Sequence, residues 1–271
     1  MNPRACVSAI CTYKLPLDED LEFWRRHGIE RVGVSVAKLE AFGWDTGIAL
    51  VADAVANGLD VANLIGLGPF ELANPGQWER QRERLQRALD AGVALGAGCL
   101  VFTTGPAGPL SWEEAADALE TALAPVVRDA ATRGVPFALE HTNSLRVDVG
   151  FVHSLHDVID LARRLDTGVC MEINACWAER DLASTIASGA DRLRLVQVSD
   201  YAIGTLCTPD RLVPGDGDIP IERILRTVIE AGYPGVFDLE LIGPRIDAEG
   251  YDAAIPRAVA NLDGLLATLG A

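Results

Sequence analysis

LRLVQVSD (193–200), PGDGD (214–218) and GVFDLELIG (235–243) are the landmarks of the stretch from Leu193 to Gly243, and their order decides how the chain is read. The first is an apolar run that finishes in an amide, a hydroxyl and a carboxylate. A polar loop closes on the second, and a helix-patterned segment, IPIERILRTVIEAGY (219–233), leads to the third, an apolar run with two acids inside it. Outward from this stretch the same device recurs in MEINA (171–175) and ALEHTN (138–143). Four apolar runs thus carry polar chemistry at or near their ends.

The remainder alternates short apolar runs with longer amphipathic segments. Strands are expected at ACVSAI (5–10), RVGVSV (31–36), LDVANLIG (59–66), GCLVFTTG (98–105), VPFALEHT (135–142) and GVCMEIN (168–174), followed by the two runs already quoted. Helices are expected near 18–26, over 47–58, from Asn74-Pro75 to about residue 96, over 153–165, near 179–189 and over 251–269. Proline suits a helix start, and Ser111 with Glu114 forms a capping-box signature for a helix reaching Arg133. The Arg/Glu-rich run WERQRERLQRALD reads as a solvated helix face.

Eight strand–helix pairs imply a parallel sheet. In 271 residues they predict one domain over 1–271, a (β/α)8 TIM barrel, since such barrels take ~250 residues. An open doubly wound sheet would want a glycine fingerprint after an early strand, and GLGPF (66–70) lacks one.

Composition narrows the function. The net charge is −16, so a nucleic-acid partner is disfavoured, because a polyanion needs a field of opposite sign. No apolar stretch approaches ~20 residues, so no membrane span is expected. The N-terminal apolar run is too short for a signal sequence, and a cytoplasmic location is the expectation. Six cysteines show neither CxxC nor zinc-type spacing and read as core thiols. The lysines are Lys14 and Lys38 alone, which leaves the C-terminal half without a Schiff-base candidate.

Residues two apart in a strand share a face. Cys170, Glu172 and Asn174 fall together, as do Ala138 with Glu140, Leu195 with Gln197 and Ser199, and Asp238 with Glu240. The apolar faces must meet the helices. Glu140, Glu172, Gln197 and Glu240 are therefore expected to converge at the C-terminal mouth, where barrel enzymes keep their sites. Three inward carboxylates repel in a low dielectric. Protonation, a divalent cation or pairing with rim arginines relieves this. The all-oxygen set favours Mn²⁺ or Mg²⁺, then Co²⁺, over thiolate-type zinc.

The order strand-Glu, strand-acid, strand-His/Gln with Asp three residues on, G-x-G loop, strand-Glu resembles the xylose-isomerase-like barrel superfamily. That group includes sugar-phosphate isomerase/epimerase-type proteins, ketose 3-epimerases, inosose dehydratases and 3-dehydroshikimate dehydratases. The resemblance runs from about Val135 to Gly243 and is topological before that. It implies that Glu140, Glu172, Gln197 and Glu240 are metal ligands, with Asp200 in place of the Asp of the family's H-x-x-D pattern. Three positions depart from the usual pattern: Glu172 where Asp is usual, Ala175 where a His is often found, and Gln197 where His is common. The last is similar to a substitution in the dehydroshikimate dehydratases.

The resemblance implies a metal-dependent isomerase or epimerase of carbohydrate metabolism acting on a keto-sugar or related polyol. Glu140 and Glu240 would be the acid and base at the carbon α to the carbonyl, with the metal a Lewis acid toward the enediolate. Loss of a β-hydroxyl would make it instead a lyase, a dehydratase of a cyclic keto-polyol or keto-acid. Arg211 and Arg245 can bind substrate oxygen or neutralise acids, and Asp200, Asn174 and Trp177 join them as substrate-side candidates. Trp44, Phe70 and Tyr13 fall in mouth loops as further walls. His141 has the parity opposite to Glu140, and His153 and His156 sit at a helix start. The acidic PGDGD loop argues against a phosphorylated substrate. Four histidines and the acidic charge argue against a multi-zinc nuclease. Barrels of this type often pair, so a homodimer is the oligomer to look for.

Overall fold

A computed structural model describes residues 1–271. Eight parallel strands close into a barrel in strict sequence order, with the eighth pairing back onto the first. They are β1 Ala5–Ser8, β2 Arg31–Ser35, β3 Asp60–Ile65, β4 Cys99–Thr103, β5 Phe137–Glu140, β6 Gly168–Glu172, β7 Leu193–Val198 and β8 Phe237–Leu239. The expected (β/α)8 TIM barrel is the fold found.

Around it lie α1 Leu17–His27, α2 Val36–Phe42, α3 Trp44–Ala56, α4 Trp78–Leu95, α5 Trp112–Arg133 and α6 Leu155–Leu165, then α7 Ile173–Cys176, α8 Leu182–Gly189, α9 Ile221–Glu230, α10 Pro244–Glu249 and α11 Tyr251–Leu269. None is long and apolar enough to cross a membrane. The Ser111–Glu114 capping box forms as expected: Ser111 Oγ accepts from Glu114 N at 3.2 Å, and Ser111 N donates to Glu114 Oε2 at 2.8 Å. Gly28, Gly96 and Gly134 end α1, α4 and α5 in the left-handed region, which a residue without Cβ enters at little cost. Asn74-Pro75 opens a 3-10 turn (Pro75–Gln77) that feeds α4.

The main core lies between strands and helices, and includes Phe23, Trp24, Phe102 and Phe237. A second, smaller one fills the barrel itself: Ile65, Cys99, Val101, Ala138, Cys170 and Leu195. The cysteines fit the core-thiol reading, being free and buried except for exposed Cys207. Gly33 leaves room for Asn63, whose Oδ1 would lie 2.6 Å from any added Cβ.

All eight strands end earlier than their apolar runs, and in three of them the turn that follows takes over directly. β1 stops at Ser8, whose hydroxyl accepts from Ile10 N at 3.2 Å and starts a 3-10 turn. β2 gives way to α2 directly after Ser35. β6 stops at Glu172, whose carboxylate accepts from Asn174 N at 2.9 Å and caps α7. Asn174 therefore sits in a helical turn, not on the inward face of the strand.

Candidate metal centre and its cavity

Strand register sets the site. Glu140 pairs with Cys170, Glu172 with Gln197, and Gln197 with Asp238, two residues before Glu240. The mouth ends of β5, β6, β7 and β8 thus bring Glu140, Glu172, Gln197 and Glu240 to one side of the barrel. Carboxylate oxygens of the three glutamates lie within 4.8 Å of one another. Glu172, Gln197 and Glu240 are buried, while Glu140 is partly open to the mouth.

One cation meets two of these three acids directly. Arg211 Nη1 lies 2.5 Å from Glu172 Oε2 and 3.6 Å from Glu240 Oε2, and donates to the Glu240 carbonyl at 3.2 Å. Burial alone would lower the Arg211 pKa, but Glu172, then Glu240 and Glu140, more than reverse this and hold it above the ordinary value. Burial, then the charges of Glu240 and Glu172, push Glu140 well above the usual carboxylate range. Burial raises Glu240 to about 7 against the pull of Arg211. Three carboxylates facing one guanidinium leave two negative charges uncompensated when all are ionised.

The residues fit a divalent cation. Gln197 donates its amide nitrogen to Glu240 Oε2, while its Oε1 is buried without a partner. A buried acceptor left unmade is costly, and here it lies beside three clustered carboxylates. The donor set is all oxygen, as hard cations prefer.

A cavity of about 240 Å³ opens above this floor. Glu140, Glu172, Glu240, Arg211 and Asn174 line it, together with Thr103, Asn143 and Arg146. The loop after β3, which lacks a dinucleotide fingerprint, supplies Gly66, Gly68 and Pro69 to its wall. A Cβ on Gly68 would collide with Thr103 Oγ1, so that wall and the end of β4 interlock. Arg146 was not among the sequence candidates. Its position six residues past Glu140, in the loop leaving the strand that carries one of the clustered acids, was the signal available.

Other expected candidates lie elsewhere. Asp200 accepts from Tyr201 N, Gly215 N, Gly217 N and Ile219 N at 2.8–3.0 Å. Both of its oxygens are spent folding the PGDGD loop, and it does not line the cavity. Arg245 lies outside, 3.3 Å from Asp210 and bonded to Thr205. Trp177 and Trp44 pack partly buried against the main core, Phe70 is fully within it, and Tyr13 is 43% exposed. None of these four lines the cavity. His141 is buried with both ring nitrogens unpartnered, and burial lowers its pKa to about 4. His153 hydrogen-bonds Thr142, and Ser154 performs the capping of α6.

A family model described as xylose isomerase-like TIM barrel matches residues 21–261. An inosose isomerase of Halalkalibacterium halodurans is 26% identical over 129 residues, a match spanning 46% of this chain and 46% of that protein. Among solved structures, the IolI protein with a bound zinc atom superposes with a TM-score of 0.83 at 17% identity, covering 98% of this chain and 99% of that one. D-psicose 3-epimerase with D-tagatose, from Clostridium cellulolyticum H10, gives 0.78 at 16% identity over 98% and 99%. These likenesses carry the barrel; at such identity they assign no substrate.

Proposed function

The chain belongs to the xylose isomerase-like TIM barrel family, and from that premise we propose that it is a divalent-metal-dependent isomerase or epimerase acting on a polyhydroxylated carbonyl compound. The observation that carries the reading is the cluster of Glu140, Glu172 and Glu240, with the free Gln197 Oε1 beside it, on the floor of an open cavity. A divalent cation bound there supplies Lewis acidity toward a substrate carbonyl oxygen, which acidifies the neighbouring C–H. The IolI zinc and the inosose isomerase and psicose epimerase relatives support that class of chemistry. The oxygen-only donor set favours Mn²⁺ or Mg²⁺, then Co²⁺.

The chain's own residues divide the work. Glu140 ends β5 and Glu240 directly follows β8, with β6 and β7 between them. Without the cation, burial lifts Glu140 well above the usual carboxylate range and Glu240 to about 7, and a carboxyl group of this kind can both take and return a proton. One removes the proton α to the carbonyl and the other returns it. Return to the opposite face of the same carbon gives epimerisation, and return to the neighbouring carbon gives isomerisation. Glu172 and Gln197 hold position, and Arg211 fixes Glu172 and Glu240 while adding a donor for substrate oxygen. Dehydration shares the first step and differs in losing a β-hydroxyl.

The experiment is a screen of keto-sugars, inososes and cyclic keto-acids with Mn²⁺-loaded protein in D₂O, read by NMR. Deuterium should enter at the carbon α to the carbonyl of at least one compound, and the product identifies the outcome. No exchange across the panel, with metal shown to be bound, would refute the proposal.

A further inference from the structure

Two arginines line the cavity, and only one of them is committed to its floor. Arg211 is held by Glu172 and Glu240. The guanidinium of Arg146 meets Asp148 alone, through two contacts of 3.0 Å, and that carboxylate is 65% exposed. A solvent-facing pair of this kind contributes little, so Asp148 is a partner that another carboxylate can replace.

The backbone beneath Arg146 is fixed. Its N–H donates to Asn143 O at 2.7 Å, and its carbonyl accepts from Val149 N at 3.0 Å and Gly150 N at 3.3 Å. The loop is tied to the residues after β4 by Gly105 N to Val149 O and by Phe151 N to Thr104 Oγ1. Arg146 is thus presented from a braced turn on the same cavity as Glu140, Glu172 and Glu240.

Charge then selects the ligand. The three carboxylates and Arg211 together carry −2 when ionised, which a divalent cation cancels. Arg146 is the remaining cationic group of the lining, and a neutral polyol would leave it facing Asp148. We propose that the substrate carries a carboxylate, which Arg146 takes bidentately in place of Asp148 while the hydroxy-carbonyl end lies over the glutamates. The placement of that end rests on the proton-transfer reading above; the anchoring by Arg146 does not. A planar carboxylate matches the guanidinium fork and its single charge. A phosphate dianion would want further donors, such as a helix N-terminus. At about 240 Å³ the cavity is smaller than the ~300–1,000 Å³ of drug-sized sites, so the acid is compact.

Binding alone tests this, without turnover. Mn²⁺-loaded protein is titrated calorimetrically with quinate, myo-inositol and inositol 1-phosphate as carboxylate, neutral and phosphate probes. Quinate should bind at least about ten-fold more tightly than myo-inositol. Arg146→Gln should lower quinate affinity by about 10- to 100-fold, as for losing charge-assisted hydrogen bonds. Arg146→Lys should recover only part of it. Asp148→Asn, by removing the competitor, should tighten quinate binding, which a merely structural role for the pair would not do. The inference is overturned if quinate binds no better than myo-inositol, absence of binding included. It is equally overturned if inositol 1-phosphate wins, or if quinate keeps its advantage in Arg146→Gln. Arg146-dependent quinate binding with no α-proton exchange anywhere would remove the proton-transfer reading and leave this one standing.

Discussion

Gln197 and Glu240 are hydrogen-bonded neighbours with different chemical capacities. An amide has no titratable proton near neutral pH, so Gln197 can hold a metal but cannot move a proton. Gln197→Ala should weaken Mn²⁺ affinity, with activity partly recovered at high Mn²⁺. Glu240→Gln keeps an oxygen for the metal and removes the carboxylate. Its loss, about 10²–10⁴-fold in rate for a missing acid–base group, should persist at saturating metal, and Glu140→Gln should behave alike. Steady-state rates across a Mn²⁺ titration read all three variants. Full rescue of both Glu variants by excess metal would make these acids ligands only and move the proton chemistry to another residue. At this scale strand parity made the inward carboxylates legible, because a period of two has only two answers. Arg146 was hidden because a loop side chain obeys no period.

At the level of elements, the eight strands were readable because each is an apolar run between amphipathic segments. Their ends were not. Ser8 and Glu172 look like strand residues by alternation, but each side chain accepts from the backbone N–H two residues on and turns the chain. A polar strand end therefore caps the turn after it, and residues beyond, such as Asn174, leave the strand's parity. The PGDGD loop shows the same economy of polar groups. Its backbone N–H groups converge on Asp200, which is 1% exposed, so the aspartate seen as a site candidate in sequence is the loop's organiser. Asp200 also bridges Leu212 by a backbone pair at 2.9 Å each way, which sets the residue next to Arg211. Asp200→Ala strips the acceptors from four N–H groups and should lower stability by about 3 kcal/mol or more, at ~1–3 kcal/mol for each group left unsatisfied. Asp200→Asn keeps one acceptor oxygen and should cost less. Hydrogen exchange at Gly215, Gly217 and Ile219 should quicken in both variants. Unchanged protection there would mean that the loop holds itself without the aspartate.

For the molecule as a whole, the site's cost should appear as a dependence of stability on pH. Glu140 is held well above the usual carboxylate range, Glu240 and Asp238 are raised to about 7, and Asp20 is raised to about 6, burial being the first cause in each case. Unfolded carboxylates titrate near ~4, so between there and about pH 7 the metal-free folded protein binds more protons than the unfolded chain. Stability must then fall as pH rises through that window. His141 works in the opposite sense, since burial lowers it to about 4 and the unfolded chain takes up that proton below ~6.5. It is one group against five, since burial also raises Glu179. Metal-free protein should therefore be less stable at pH 8 than at pH 5.5, by on the order of 3 kcal/mol at ~1.4 kcal/mol for each tenfold change in proton affinity, as read by urea denaturation. Bound metal competes with those protons, so its contribution must grow with pH. Mn²⁺ at a hundred times its Kd should add about 2.7 kcal/mol at pH 8, and the same Mn²⁺ concentration should add distinctly less at pH 5.5. Equal stabilisation at both pH values would mean that the metal does not displace protons from Glu140 and Glu240. A metal-free protein that gains stability from pH 5.5 to 8 would mean that Arg211 alone carries the charge of the cluster, with no proton held in the fold.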